Sequence, residues 1–427
     1  MCERLTQHVD NVMIQESDLI KEGVTVTTEE NQIMQYIEEE DVKFIRLAFC
    51  DIFGVQKNIS VQPTELHRAF EKGYPIDASY VSGFGGDYGV DVWLHPEADT
   101  VSVLPWRPEH GKVIRMFCSL CYADGRPIEA DTRSLLRGAV EYARQKGYRF
   151  HFKSEMQFYL FKTDDNGNRT YTPYDHAGYM DIAPLDKGEN IRREVCLTLD
   201  QMGIMPESSH HEAGPGQNEI DFKYAHALPS ADNTSTFISV VRTIAARNGL
   251  YADFSPKPIS DKPGSALHIR MSVKAKNGEE VTDRAIAGIL KNIADMTIFL
   301  NPTEKSFKRF NKMKAPKYIT WSDKNRAQLI FATHTESGGR CLQLRSPDPN
   351  ANPYLAFALM IYAAVDGIEN NDPLSPSTDT QQQYLSSSEQ NAAELLPDTI
   401  ARAQNAAVNS DFIKRFIPES IIKAYCS

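Results

Sequence analysis

His210-His211-Glu212-Ala213-Gly214-Pro215-Gly216-Gln217-Asn218-Glu219-Ile220-Asp221-Phe222 places two histidines and a carboxylate before a Gly-Pro-Gly turn and a second carboxylate after it. The alternation of Ile220-Asp221-Phe222-Lys223-Tyr224 predicts a strand with one buried face. Glu212 and Glu219 therefore flank a tight turn from which both can aim into one space. Two carboxylates held together repel unless a cation lies between them, and hard divalent ions such as Mg²⁺ prefer oxygen ligands. The alternative is a solvated turn between strands, because acidic residues are common at exposed turns.

The chain around this turn has 427 residues, enough for two or three domains or one large α/β unit. Hydrophobic residues make up 41% and aromatics 10%, so a sizeable core can form. A net charge of −11 argues against nucleic acid as the main partner, which would require a basic surface. The lack of a membrane-length apolar run and of a signal-peptide core leads to the expectation of a cytoplasmic protein. The seven cysteines are odd in number and scattered, which is not a disulfide framework. Cys118 and Cys121 have CxxC spacing, but no second pair completes a zinc site, and they read as strand residues.

Upstream of the turn, residues 1–28 are polar and weakly patterned, an N-terminal extension. A helix is predicted from Thr28 to about Glu40 and a strand over Val42 to Cys50. Short strands with Gly and Pro breaks then complete a small β-rich domain over 29–122. From Asp131 the pattern changes to an α+β domain spanning 123–427, with a helix to Lys146 and a strand from Tyr148 to Phe161. Alternation in that strand puts Glu155 and Gln157 on one face. Further helices are predicted near 190–203, 232–249, 283–300, 352–369 and 395–407. Further strands fall at 216–224, 265–273, 327–333 and 340–346. The Ser-, Gln- and Thr-rich run from Ser375 to Gln390 reads as a surface loop.

From about residue 30 to 425 the chain resembles a type I glutamine synthetase. The resemblance rests on several motifs in order: Asp51-Ile52-Phe53-Gly54, Leu104-Pro105-Trp106-Arg107-Pro108, the His210 to Glu219 run, Asn301-Pro302-Thr303, Ala315-Pro316, Trp321-Ser322, Asn325-Arg326, and Arg345 to Ala356. It implies a β-grasp-like N-terminal domain and a catalytic α+β domain with an antiparallel sheet and helices. It also implies homo-oligomeric rings with an active site between neighbouring subunits. The implied chemistry is phosphorylation of the glutamate γ-carboxylate by ATP, then attack by ammonia, with Mg²⁺ or Mn²⁺ as cofactor.

Residue by residue, the resemblance implies metal ligation by Glu155, Glu212, Glu219 and His268, with Gln157 and Gln343 at two further ligand positions. Arg309 and Arg345 correspond to arginines around the glutamate and the transferred phosphate, and Arg326 to a nucleotide-phosphate arginine. Ser272 corresponds to a serine near the nucleotide and Gly264 to the glycine of the glutamate-binding loop. Asp77 corresponds to an aspartate lent to the neighbour's ammonia site. Without the family, Glu155 and Glu219 read equally as ion-pair partners of Arg309 or Arg345, His268 as a core histidine, and His210 and His211 as pocket structure.

Five positions depart from the family pattern: Gln157 and Gln343 where glutamates are expected, Phe331 for an arginine, Lys314 for a glutamate, and Pro263 for an asparagine. Glutamine can ligate Mg²⁺ through its amide oxygen, but without charge. Phe331 cannot stabilise phosphoryl charge. Lys314 opposes binding of ammonium by repulsion. The expectation is therefore a glutamate–amine ligase or, alternatively, a catalytically impaired paralogue acting as a binding or regulatory protein. The C-terminal pattern runs through Tyr425 to Ser427 without the family's ring-stacking tail, so a single hexameric ring, or a weakly held double ring, is expected.

Overall fold

A computed structural model describes residues 28–84, 91–107, 110–310, 315–335, 337–379 and 394–427. Lys314, the extension up to residue 27, and residues 380–390 of the polar run lie outside these. The architecture is α+β and the described chain forms two compact units.

The first unit comprises residues 28–51, 55–134 and 197–205. Its strands are β1 (Val42–Cys50), β2 (Gln56–Val61), β3 (Tyr74–Asp77), β4 (Asp91–Pro96), β5 (Ser102–Val103) and β6 (Lys112–Cys121). They are ordered β2-β1-β6-β4-β3, with β5 also on β6; β1 and β6 run parallel and the other pairs antiparallel. Ile45, Leu47, Leu94, Ile114 and Met116 are buried in this unit. The helix Thr28–Glu39 buries Ile33 and Ile37, four residues apart on one of its faces. Cys118 and Cys121 lie on β6 as strand residues, and among the described residues neither belongs to a metal-spaced cluster.

The second unit is built on one long strand, β7 (Tyr148–Thr163). Around it lie β8 (Arg169–Pro173), β9 (Pro206–His211), β10 (Gln217–Phe222), β11 (Ala225–His226), β12 (Leu250–Asp253), β13 (Leu267–Ala275), β14 (Trp321–Ser322), β15 (Ile330–His334) and β16 (Arg340–Leu344). The sheet runs β14-β15-β16-β13-β7-β10-β9, with β8, β11 and β12 also paired to β7. Every pairing is antiparallel except β14 with β15.

Register divides this sheet into two unlike faces, because side chains alternate along every strand. Phe152, Met156, Ile220, Leu267, Ile269, Leu342 and Leu344 share the apolar face. Phe152 stacks on Phe357 of the helix Pro353–Glu369 at 4.3 Å between ring centroids, and Phe158 meets Phe237 of the helix Ala227–Arg247 edge-on. The opposite face carries Lys153, Glu155 and Gln157 with the polar residues of the neighbouring strands.

The turn between β9 and β10 is anchored from behind by a buried charge network. His211 has its Nε2 2.8 Å from Asp175 and its Nδ1 2.6 Å from the Glu212 carbonyl. With an acceptor at each nitrogen the ring carries both protons. Burial works against that charge, but Asp175 overcomes it and holds the His211 pKa above its ordinary value. Asp175 also accepts from the Gly216 and Lys187 amides, at 2.9 and 3.0 Å. Gly216 has φ +68°, and a Cβ there would lie 2.7 Å from the Leu160 carbonyl, so the turn admits only glycine. Arg192 bridges Asp186 and Asn218.

Asp175→Asn is expected to lower stability by about 3–5 kcal/mol, the usual cost of breaking a buried pair from one side. A raised histidine pKa contributes stability below its unfolded value near 6.5, and that contribution is lost as pH rises through the folded-state value. The difference in thermal midpoint between wild type and variant should therefore be larger at pH 6 than at pH 9. An equal difference at both would show that His211 is not charged in the native state.

Candidate active site

Across the polar face, cross-strand register sets His210 opposite Glu219, Glu219 opposite Gln157, and Glu155 opposite both Asp221 and His268. One pair further along, Lys153, Arg270, Gln343 and Phe331 form a row. Glu212 follows β9, where its amide donates to the Gln217 carbonyl at 2.8 Å and closes the turn. Glu155, Gln157, Glu219, His268, Gln343 and Arg345 are all at least nine-tenths buried.

Two overlapping acid groups result. Ligand atoms of His210, Glu212 and Glu219 lie within 4.8 Å of one another, as do those of Glu155, Glu219 and Asp221. Burial, and then Asp221, Glu212 and Glu155, push the Glu219 carboxyl well above the usual carboxylate range. His210 Nε2 is buried without a hydrogen-bond partner, 3.4 Å from Glu212. Asp221 Oδ1 is likewise buried and unpartnered, while its Oδ2 accepts from Ser208 at 2.5 Å.

Both glutamines turn their amide nitrogens, not their oxygens, toward the acids. Gln157 Nε2 donates to Glu219 at 2.6 Å and to Glu212 at 3.3 Å, while its Oε1 accepts from the Ala266 amide at 2.9 Å. Flipping the amide would set its NH₂ against a backbone N–H, so the nitrogen is what faces the acids. Gln343 repeats the arrangement. Its Nε2 donates to Glu155 at 2.5 Å and its Oε1 accepts from Arg345 Nη1 at 2.8 Å. Each glutamine is a hydrogen-bond donor to a carboxylate, with its oxygen occupied elsewhere.

Glu155 pairs with neither Arg309 nor Arg345 but with Arg270, whose Nε donates to Glu155 Oε1. Burial is the main influence raising the Glu155 pKa, with Arg270 opposing it. Arg309 donates to the Ser346 and Arg345 carbonyls, at 2.7 and 3.0 Å, so it shapes the backbone beneath Arg345. Burial pushes its pKa down to about 10. Burial, followed by Arg345, Arg309, Arg270 and Arg326, drives the His268 pKa well below its usual value and keeps the ring neutral. Arg326 is exposed, and its guanidinium sits 4.8 Å from the Phe331 ring centroid.

Gly264 lies in a tightly pinned loop, where a Cβ would meet the Pro256 carbonyl at 2.6 Å and Arg309 Cγ at 2.8 Å. Tyr159 Oη donates to the Pro263 carbonyl at 2.6 Å and Gln217 Nε2 to the Gly264 carbonyl at 3.1 Å. Ser272 is buried on β13, two residues beyond Arg270 on the same face. Asp77 ends β3 in the first unit, exposed, with its carboxylate accepting from the Ser79 amide. Sequence reasoning missed Arg270 and Asp221 and set His210 aside as pocket structure. The parity that links Glu155 to Gln157 would have found the first two, since Arg270 lies between His268 and Ser272 on one face and Asp221 lies two residues after Glu219.

The sequence matches the family described as glutamine synthetase, beta-Grasp domain, over residues 41–123 and that described as glutamine synthetase, catalytic domain, over residues 129–427. The chain belongs to the glutamine synthetase family. It is 40% identical over 410 residues to the glutamine synthetase of Clostridium saccharobutylicum, covering 92% of each chain. It is 38% identical over 416 residues to that of Methanosarcina mazei, covering 93% of this chain and 92% of that one. A solved structure described as a GmaS/ADP complex shares the fold, with a TM-score of 0.82, 24% identity, and coverage of 92% of this chain and 93% of that one.

The family is one of ATP-dependent ligases that use divalent metal. The chain's own donors fit such an ion unevenly. Glu212, Glu219 and His210 suit it, because the carboxylates are hard oxygen donors and the buried His210 Nε2, facing Glu212, makes no hydrogen bond. Glu155 suits it less, since each of its oxygens already accepts a donor and Arg270 already compensates its charge. Gln157→Glu is expected to tighten Mn²⁺ binding by roughly tenfold, because a carboxylate would replace a donor that competes with the ion. Gln343→Glu, flanked by Arg345 and Glu155, should have a smaller effect. Titration calorimetry reads both, and a Gln157→Glu protein that binds no more tightly would remove this edge of the sheet from the metal site.

Proposed function

We propose that the protein is an ATP-dependent ligase that forms a γ-glutamyl amide from glutamate, or a similar acid, and ammonia or another amine. The observation carrying this reading is the Glu212–Glu219–His210 group beside Arg345, on one sheet face with the pinned loop at Gly264. A divalent ion held by Glu212, Glu219 and His210 would supply charge neutralisation for phosphate oxygens. Arg345, whose buried Nε has no partner, offers a donor to an anionic group of the acid or of the transferring phosphate. Exposed Arg326, steered by the face of Phe331, offers a second charge to a nucleotide. The Pro263–Gly264 turn, fixed by Tyr159 and Gln217, gives a rigid wall for the acid. The same reading places the protein in the cytoplasm as a homo-oligomeric ring, in which Asp77 serves a neighbour's amine site.

A second reading, a catalytically impaired paralogue with a binding or regulatory role, is favoured by the row containing Arg270, Gln343 and Phe331. Glu155 is internally neutralised there, and Phe331 contributes no phosphoryl-stabilising charge. Loss of one such arginine costs about 10³–10⁵ in rate in comparable phosphoryl transfers.

Phosphate release dependent on ATP and Mg²⁺ across glutamate and a panel of amines separates the two. Some acid–amine pair should release phosphate, with ammonia a poor partner if Lys314 takes the place that the family resemblance gives to a glutamate. Restoring Gln157→Glu, Lys314→Glu, Phe331→Arg and Gln343→Glu together should raise glutamine formation more than the single changes combined, since such groups act as a unit. No release with any pair would refute the ligase reading and leave the second.

A further inference from the structure

Arg270 reaches back along the sheet from its position opposite Gln343 and Lys153 to Glu155, one residue pair away. The result is a closed relay: Arg270 donates to Glu155 Oε1, Gln343 donates to Glu155 Oε2, and Arg345 donates to Gln343 Oε1. A guanidinium stands at each end, with a carboxylate and an amide linked between them. The side chain of Glu155 is 7% exposed and that of Arg270 19%, so the pair is largely shielded from water. A divalent ion that used Glu155 would have to share its oxygens with a guanidinium and an amide donor, and would set a new positive charge beside the partly buried Arg270.

We infer that Arg270 is a resident cation, occupying the seat of a second divalent ion and limiting the site to one. Glu219 belongs to both acid groups, so one ion beside it serves the Glu212–His210 side and relieves its repulsion with Asp221. Lys153 does not enter this balance, because Glu207 pairs with it at 2.5 Å. With Arg309 turned to the Ser346 and Arg345 carbonyls beside Asp348 and Arg326 exposed to solvent, the carboxylates of Glu155, Glu212, Glu219 and Asp221 are then balanced by Arg270, Arg345 and a single divalent ion. A second ion would leave the face positive before any substrate arrives. Unlike a metal, the guanidinium cannot be exchanged or chelated, so charge compensation at Glu155 persists without divalent ions. Arg270 is thus a positioning residue that sets metal stoichiometry.

The inference rests on the reading that Glu212 and Glu219 hold an ion, and the test separates the two. Mn²⁺ titration calorimetry on the full chain, without nucleotide or acid, should give one ion per chain. Arg270→Ala opens Glu155 Oε1 beside the unpartnered Asp221 Oδ1 and should give two; Arg270→Lys, retaining the charge, should give one. If Arg270→Ala fails to fold, the double variant Glu155→Gln with Arg270→Met removes both charges together and should keep one ion, with affinity within about threefold of wild type. Two ions on the wild type, falling to one in the double variant, would overturn the assignment and make Glu155 a ligand. No ion on the wild type would instead overturn the Glu212–Glu219 reading, and the one-ion limit with it. One ion on a folded Arg270→Ala protein would show that Arg270 does not set the count.

Discussion

The constraint on which the site depends is the antiparallel register of β7 between β10 and β13. That register alone puts Glu155 between Asp221 and His268, and Gln157 beside Glu219. A one-residue slip on either side would turn the acids into the apolar layer that packs on Phe237 and Phe357. The hydrophobic face therefore defines the polar one. Burial of Met156, Ile220 and Ile269 is what obliges Glu155, Glu219 and Arg270 to share the opposite side.

Crowding acids on a nearly dry surface has a cost, and the molecule offsets it in three ways. His211 and Asp175 hold the turn from behind, so the positions of Glu212 and Glu219 do not depend on their own attraction to anything. Gln157 and Gln343 supply N–H donors to the acids, which stabilises the carboxylates without adding charge. Arg270 neutralises Glu155 directly. At Glu219, burial and the neighbouring acids still hold the carboxyl well above the usual range, because among the described residues no cation pairs with it directly.

Much of this architecture was legible in the sequence. The long strand from Tyr148, the strands carrying Glu219 and His268, and the helices near 282–300 and 353–369 follow from apolar periodicity that burial enforces. The family motifs pointed to Glu155, Glu212, Glu219 and Arg345, which the register gathers on the polar face. Side-chain direction within the site was not legible. That Gln157 presents nitrogen rather than oxygen depends on the Ala266 amide, about a hundred residues later in the chain. That Glu155 pairs with Arg270 rather than Arg309 depends on a register no local pattern encodes, while Arg309 turns instead to the Ser346 and Arg345 carbonyls.

These orientations change what the substitutions mean. A glutamine that kept its oxygen toward a metal would be a weakened ligand; one that donates to the neighbouring glutamate competes with the metal for that glutamate. Phe331 follows the same logic, since its ring gives up a charge at its own position but gathers the guanidinium of Arg326 over its face. Arg270 and Gln343 each donate to one oxygen of Glu155, so the effect of neither residue is independent of the other. Restoring a carboxylate at Gln343 while Arg270 remains would add an acid to a cation already engaged, and removing Arg270 alone would expose an acid that Gln343 only half satisfies. The electrostatics of this face are a property of the linked set, and its metal capacity follows from the pair.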